Sequence, residues 1–223
     1  MENNTMNKDN ILLRKEAVSD HEAVENITRE AFWNQHVPGC DEHYLVHIMR
    51  NAKAFIKELD FVAVVDGTIV GNIMYTKSKV VDDKDVKHQV ITFGPVSVLP
   101  SHQCKGIGHM LIEHTMKLAK ELGYNAIITY GDPDYYKKYG FNGAKSYDIG
   151  TADNLYADPL IAVELYDGAL DNISGRFFED EVFNIDEAAV KEFDSKYPPK
   201  ELKNDLPTQV RFRELIEMNE PRK

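Results

Sequence analysis

The residues of this 223-residue chain best placed to do chemistry lie in the stretch GPVSVLPSHQCKGIGHMLIEH, residues 94–114. An apolar run ends there, a polar loop turns after Pro100, and a helical pattern begins at Gly106 and Gly108. The first N–H groups of a helix have no partner within it and carry the positive end of its dipole. Glycines at that point remove the side chains that would block a close approach. The loop from Gln103 to His109 therefore reads as an anion site, and phosphate is the commonest guest of such sites. Two familiar phosphate loops do not fit. The spacing GxxxxGK[ST] is absent, and GxGxxG fails because Leu111 stands where the third glycine or alanine belongs.

A second stretch, GDPDYYKKYGF at 131–141, supplies Tyr135, Tyr136 and Tyr139. A phenol with a pKa of ~10 stays protonated at neutral pH and can donate to a leaving group. In CDEHYLVHIMR, His43 and His47 are spaced i, i+4 on a predicted helix, but neither an HExxH pattern nor a Cys/His cluster accompanies them. No metal site is expected. Glu42, His43, His47 and Asp132 are available as bases, and nothing in the sequence selects among them. The ordinary reading of each is a capping, surface or core residue.

QCKGIG after the strand-like VSVLP matches the pattern [QR]xxGx[GA] at every position and resembles motif A of the GNAT superfamily of N-acetyltransferases. The tyrosine-rich stretch resembles motif B of the same superfamily, and the string GDPxYYxxxGF resembles a branch of small bacterial acetyltransferases. The resemblance spans roughly 11–166. It implies an acetyltransferase that takes acetyl-coenzyme A as co-substrate and holds the diphosphate on the amides of Gln103, Cys104, Lys105, Gly106, Ile107, Gly108 and His109. It implies that Val96 and Val98 present backbone groups to the pantetheine arm, and that the Val98 N–H polarises the acetyl carbonyl. It further implies that Tyr136 is the general acid for the departing thiolate. Cys104 beside a helix start could be a nucleophile; the superfamily's direct transfer makes it a loop residue instead.

These groups need a frame to position them. Ile11–Lys15 reads as a strand, Ser19 and Glu22 as a capping box opening a helix that ends near His36, and 41–52 as a second helix. FVAVV and TIVGNIMY flank Asp66-Gly67, a hairpin turn. The polar run 82–88 is a loop, and 90–99 a strand. The helix 106–122 carries the stripe Ile107, Leu111, His114 and Leu118. Then come the strand 126–130, a brief helix 134–139 and strands near 144–149 and 159–166. This order predicts an α/β (α+β) fold, a mixed and mostly antiparallel sheet with helices on both faces. A domain over 1–167 is followed by a C-terminal extension, 168–223, with a charged helix near 186–195 and no flexible linker. The extension is expected to pack on the core.

Composition narrows the function classes. Hydrophobic residues make up 43% and charged residues 28%, which describes a globular chain. The net charge of −11 and the lack of a basic stripe argue against nucleic acid. The longest apolar runs fall well short of the ~20 residues that span a bilayer, so no membrane partner is expected. The polar start MENNTMNKDN has no signal-peptide core, and two distant cysteines, Cys40 and Cys104, make no disulfide framework. A cytoplasmic location follows as an expectation. The implied partner is a small amine-bearing molecule or a peptide N-terminus, and a homodimer is compatible with the sequence. The alternative function is a non-catalytic acyl-coenzyme A sensor or interaction module; Tyr136 favours the enzyme.

Overall fold

The computed structural model describes residues 10–222. The polar start that argues against a signal peptide lies, except for Asn10, outside the described residues. Strand β1 (Ile11–Lys15) leads into helices α1 (His21–Phe32) and α2 (Glu42–Met49). The hairpin β2 (Phe61–Val65) and β3 (Thr68–Val81) turns at Asp66 and Gly67, both at positive φ, as the Asp-Gly pair predicts. β4 (Lys87–Val98), α3 (Ile107–Glu121) and β5 (Ala126–Tyr130) form the central crossover. The short α4 (Pro133–Tyr136) comes next, then β6 (Asn142–Gly143), β7 (Ile149–Gly150), β8 (Leu155–Ala157) and β9 (Leu160–Glu164). The remainder contributes β10 (Gly175–Phe178), α5 (Glu187–Asp194), α6 (Pro207–Glu217) and β11 (Asn219–Pro221).

The main sheet runs β1-β2-β3-β4-β5-β9-β6, with β10 and β7 joined to it through β3. Its neighbours are antiparallel except β4 with β5 and β10 with β7, which are parallel. Both faces are covered. All five residues of β2 are buried, and they alternate: Phe61, Ala63 and Val65 pack with α3, while Val62 and Val64 pack with α1 and α2. The two hydrophobic faces make the sheet the middle layer of the domain.

Several local expectations need correcting. The helix entry is built by Asp20, not Ser19. The segment Val18–Asp20 is a 3₁₀ turn, and the Asp20 carboxylate accepts from the Ala17 N–H at 2.8 Å while pairing with Arg14. α1 ends at Phe32, four residues before His36, because Asn34 turns the chain at φ 63°. The buried stripe of α3 is Ile107, Leu111, Ile112, Thr115 and Ala119, leaving His114 exposed. Thr115 is accommodated because its hydroxyl donates to the Leu111 carbonyl at 2.7 Å and meets the Tyr75 hydroxyl at 2.9 Å. Residues 144–147 form a 3₁₀ turn, not a strand. The sequence reading contains no counterpart of α6. Strand β10 from the C-terminal segment pairs with β3, and β11 pairs with β8.

Candidate active site

The site begins where β4 and β5 part. Their ladder has one register pair, Ile91 opposite Ile127, and Thr129 then reaches the Phe93 carbonyl through its hydroxyl at 3.0 Å. On its other edge β4 carries a bulge: Gly94 and Pro95 stand opposite the single residue Met74. Bulges of this kind bend a strand and re-aim the residues after the bend. Beyond the bulge, the Leu99 N–H donates to Val70 on β3 at 2.8 Å. Backbone groups alternate along an antiparallel pair, so the N–H groups of Val96 and Val98 face away from β3, into the gap. The Val98 carbonyl on that same edge accepts from Gln103 Nε2 at 3.0 Å.

The loop after β4 is shaped by two left-handed residues, Cys104 at φ 60° and Gly106 at φ 85°. Glycine takes that conformation freely, whereas cysteine does so at a cost. Turns of this type bring consecutive N–H groups onto one side, as in a backbone anion nest. The first intrahelical bond runs from the Met110 N–H to the Gly106 carbonyl, which leaves the amides of Ile107, Gly108 and His109 without a helical acceptor. Lys105 points outward and ties the loop down, donating to the Ser101 carbonyl at 3.0 Å.

One cavity of about 510 Å³ gathers these parts. Val96 and Val98 form one wall, and Gln103, Cys104 and Gly106 to His109 form the end. Tyr135, Lys138 and Tyr139 stand opposite, with Lys138 Nζ 4.0 Å from the Tyr135 ring centroid. Ala31 and Phe32 close it from α1. Of the residues the resemblance implies for the cofactor and the leaving thiolate, Lys105 and Tyr136 do not line this cavity, nor do the possible bases Glu42, His43, His47 and Asp132. The Tyr136 ring lies behind its wall, 5.7 Å from Phe93 and 5.6 Å from Phe141, beside the point where β4 and β5 separate. Its hydroxyl makes no hydrogen bond among the described residues, and burial pushes its pKa up, so it is protonated. Tyr135 and Tyr139, which flank it in the sequence, are the tyrosines facing the cavity.

The possible bases are all engaged. Glu42 meets His36 at 3.1 Å, His47 meets Glu25 at 2.9 Å, and Asp132 pairs with Arg211 at 3.0 Å. His43 is fully buried between Cys40 and Asp194, and burial pushes its pKa down. Asp132 lies below the usual carboxylate range because Arg211 hydrogen-bonds to it. Among the described residues, no group of three or more His, Cys, Asp or Glu could hold a metal, and no helix is long and apolar enough to cross a membrane.

Comparison with known proteins places the fold and the family. The "Uncharacterized N-acetyltransferase YhbS" of Escherichia coli strain K12 is 26% identical over 175 residues, covering 78% of this chain and 99% of the relative. A crystal structure of YhbS from Escherichia coli in complex with CoA superposes with a TM-score of 0.69 at 24% identity, over 79% of this chain and 93% of that one. A GNAT family acetyltransferase from Brucella melitensis, in complex with acetyl-CoA, gives a TM-score of 0.62 at 24% identity, over 78% and 97%. The sequence pattern described as "Acetyltransferase (GNAT) family" matches residues 23–141, more than half of the chain. That match runs from α1 through the parted strands and the glycine loop to Phe141, and it makes the chain a member of the GNAT family of acetyltransferases.

Proposed function

We propose that the chain transfers the acetyl group of acetyl-coenzyme A to a primary amine by direct attack in a ternary complex, in the cytoplasm. The observation that carries this is the juxtaposition in one cavity of the β4 edge at Val96 and Val98, whose N–H groups face the gap, with the open amides of the α3 N-terminus. That pairing fits a ligand with an anionic diphosphate at one end and an amide-bearing arm at the other. The structural relatives carrying CoA and acetyl-CoA support the same choice.

In this reading the amides from Gln103 to His109 hold the diphosphate, and the edge of β4 aligns the arm. The Val98 N–H donates to the acetyl carbonyl oxygen as it gains charge. Fixed donors of this kind are already oriented when the charge develops, which is why they lower the barrier. Tyr136 gives its proton to the leaving thiolate; its register in the tyrosine-rich stretch and its unpartnered hydroxyl, which burial keeps protonated, support that role. Because each candidate base near the site is already paired, the incoming amine loses its proton to solvent.

The test is thiol release from acetyl-coenzyme A across a panel of primary amines, alongside a thermal-shift titration with acetyl-coenzyme A. Amine-dependent release with stabilisation is the expected result. Stabilisation without release for any amine would make the chain a sensor instead.

A further inference from the structure

A second cavity, of about 660 Å³, lies across the β5–α4 corner from the first. The two share their partition. Phe32 and Tyr135 line the loop cavity, while Gln35 and Asp132, each three residues away along the same turns, line this one. Gly131 lies in its floor, where a Cβ would overlap the ring of Tyr136. The Tyr136 ring thus stands between the two spaces.

The far wall is α6. This helix is held against the core by Gln209, which is 1% exposed and donates to the Asn34 carbonyl at 3.1 Å and the Lys203 carbonyl at 2.9 Å. Arg211 adds a two-point pair with Asp132, at 3.0 and 3.3 Å. The surface that α6 turns inward is apolar. Phe212 stacks on His36 with ring centroids 4.7 Å apart, and Leu215 and Ile216 continue the wall towards Tyr130. The charged pair in the lining, Asp132 and Arg211, is closed on itself at 3.0 Å, and Asp134 outside it is shared between Arg211 at 3.6 Å and Lys137 at 3.1 Å.

We propose that this chamber is the acceptor site and that α6, through Phe212, Leu215 and Ile216, selects primary amines carrying a compact apolar or aromatic body. The inference rests on the acetyltransferase reading above and specifies its substrate. The net charge of −11 attracts the protonated amine to the molecule. Inside, apolar walls disfavour the charged form and shift the amine towards the neutral nucleophile. The nitrogen then bonds to the thioester carbonyl carbon, the C–S bond breaks, the amine's surplus proton passes to water, the thiolate takes the Tyr136 proton, and water returns a proton to Tyr136.

The experiment compares kcat/KM for 2-phenylethylamine, ethanolamine and an alanine-initiated tripeptide amide, in the full chain and in Ile216→Asp. Ile216 is 54% exposed, so the substitution is tolerated by the fold. Apolar pocket contacts discriminate by about 10- to 100-fold, so 2-phenylethylamine should lead by that factor. Ile216→Asp should erase the lead mainly through KM and keep the acetyl-coenzyme A thermal shift. Equal use of the three amines, or an equal loss for all of them in the variant, overturns the acceptor assignment while a retained thermal shift leaves the cofactor reading standing. A wild-type chain that acetyl-coenzyme A does not stabilise sinks the cofactor reading itself, and this inference with it.

Discussion

The two cavities on either side of the β5–α4 corner are built on opposite plans. The loop cavity takes most of its wall from one continuous run, Val96 to His109, which includes the open amides of Ile107, Gly108 and His109. The α6 chamber is assembled from the end of α1, the end of β5, Pro159 and α6, and its surface is mostly side chain. Backbone donors fixed by a local turn can serve any side-chain composition around them. An apolar chamber drawn from distant segments can change one wall without touching the turn. The first plan suits a group common to every turnover, the second a group that varies between substrates.

Breaking the partition between the two should have the largest effect. Tyr136→Phe keeps the ring that packs on Phe93 and Phe141, so stability and the acetyl-coenzyme A thermal shift should hold. Turnover should fall ~10²–10⁴-fold, the usual contribution of general acid catalysis. Tyr135→Phe is the counterpart, because Tyr135 faces the cavity and Tyr136 does not. If the loss belongs to Tyr135→Phe, the proton donor is the cavity-facing tyrosine.

The loop cavity alone is broken by Gly108→Asp. A Cβ at Gly108 meets nothing closer than 3.5 Å, so the variant should fold, with its carboxylate facing the diphosphate. Ligand at a hundredfold excess over Kd stabilises a wild-type fold by about 2.7 kcal/mol, and calorimetry should find that increment gone. An undiminished shift would remove the loop from the site.

The chamber alone is loosened by Gln209→Ala, which strips a donor from the carbonyl of buried Asn34 and another from exposed Lys203. Leaving the buried group unpaired costs about 1–3 kcal/mol, readable by urea unfolding. Amine selectivity should decline while acetyl-coenzyme A binding is kept. Equal damage to both would mean the two cavities are one unit.

The smallest effect is electrostatic and sits on the chamber side. Glu179 follows β10, its charge bears on Tyr130, and burial raises its pKa from 4.5 to about 7. Between those values the folded carboxyl keeps a proton that the unfolded one has lost. Its stabilising contribution is present below pH 4.5 and declines as pH rises to 7. Unfolding free energies of Glu179→Gln should run flatter than wild type across this window. Parallel curves would contradict the buried, unpaired carboxylate.

What was legible in the sequence tracked the range of the physics. Asp66-Gly67 set a hairpin because two adjacent residues accept positive φ. QCKGIG identified the loop because backbone turn chemistry is written in consecutive residues. The α3 stripe was displaced because Thr115 can bury its hydroxyl on Leu111 and Tyr75, partners that helical periodicity does not weigh. α6 had a proline at its first turn and Gln209 two residues on, but its apolar residues Val210, Phe212, Leu215 and Ile216 make no clean stripe. Its helix is justified only by what it lies against.

The sequence by itself determined the family, the order of the central elements and the place of the glycine loop before α3. All three depend on neighbouring residues and on the short-range geometry of turns and helix ends. The tertiary structure alone decided which tyrosine faces the loop cavity, that the bases near it are already paired, and that a C-terminal helix closes a second chamber. Those depend on contacts such as Gln209 with Asn34, 175 residues apart. A contact at that separation is set by how whole elements pack, and no local pattern along the chain records it.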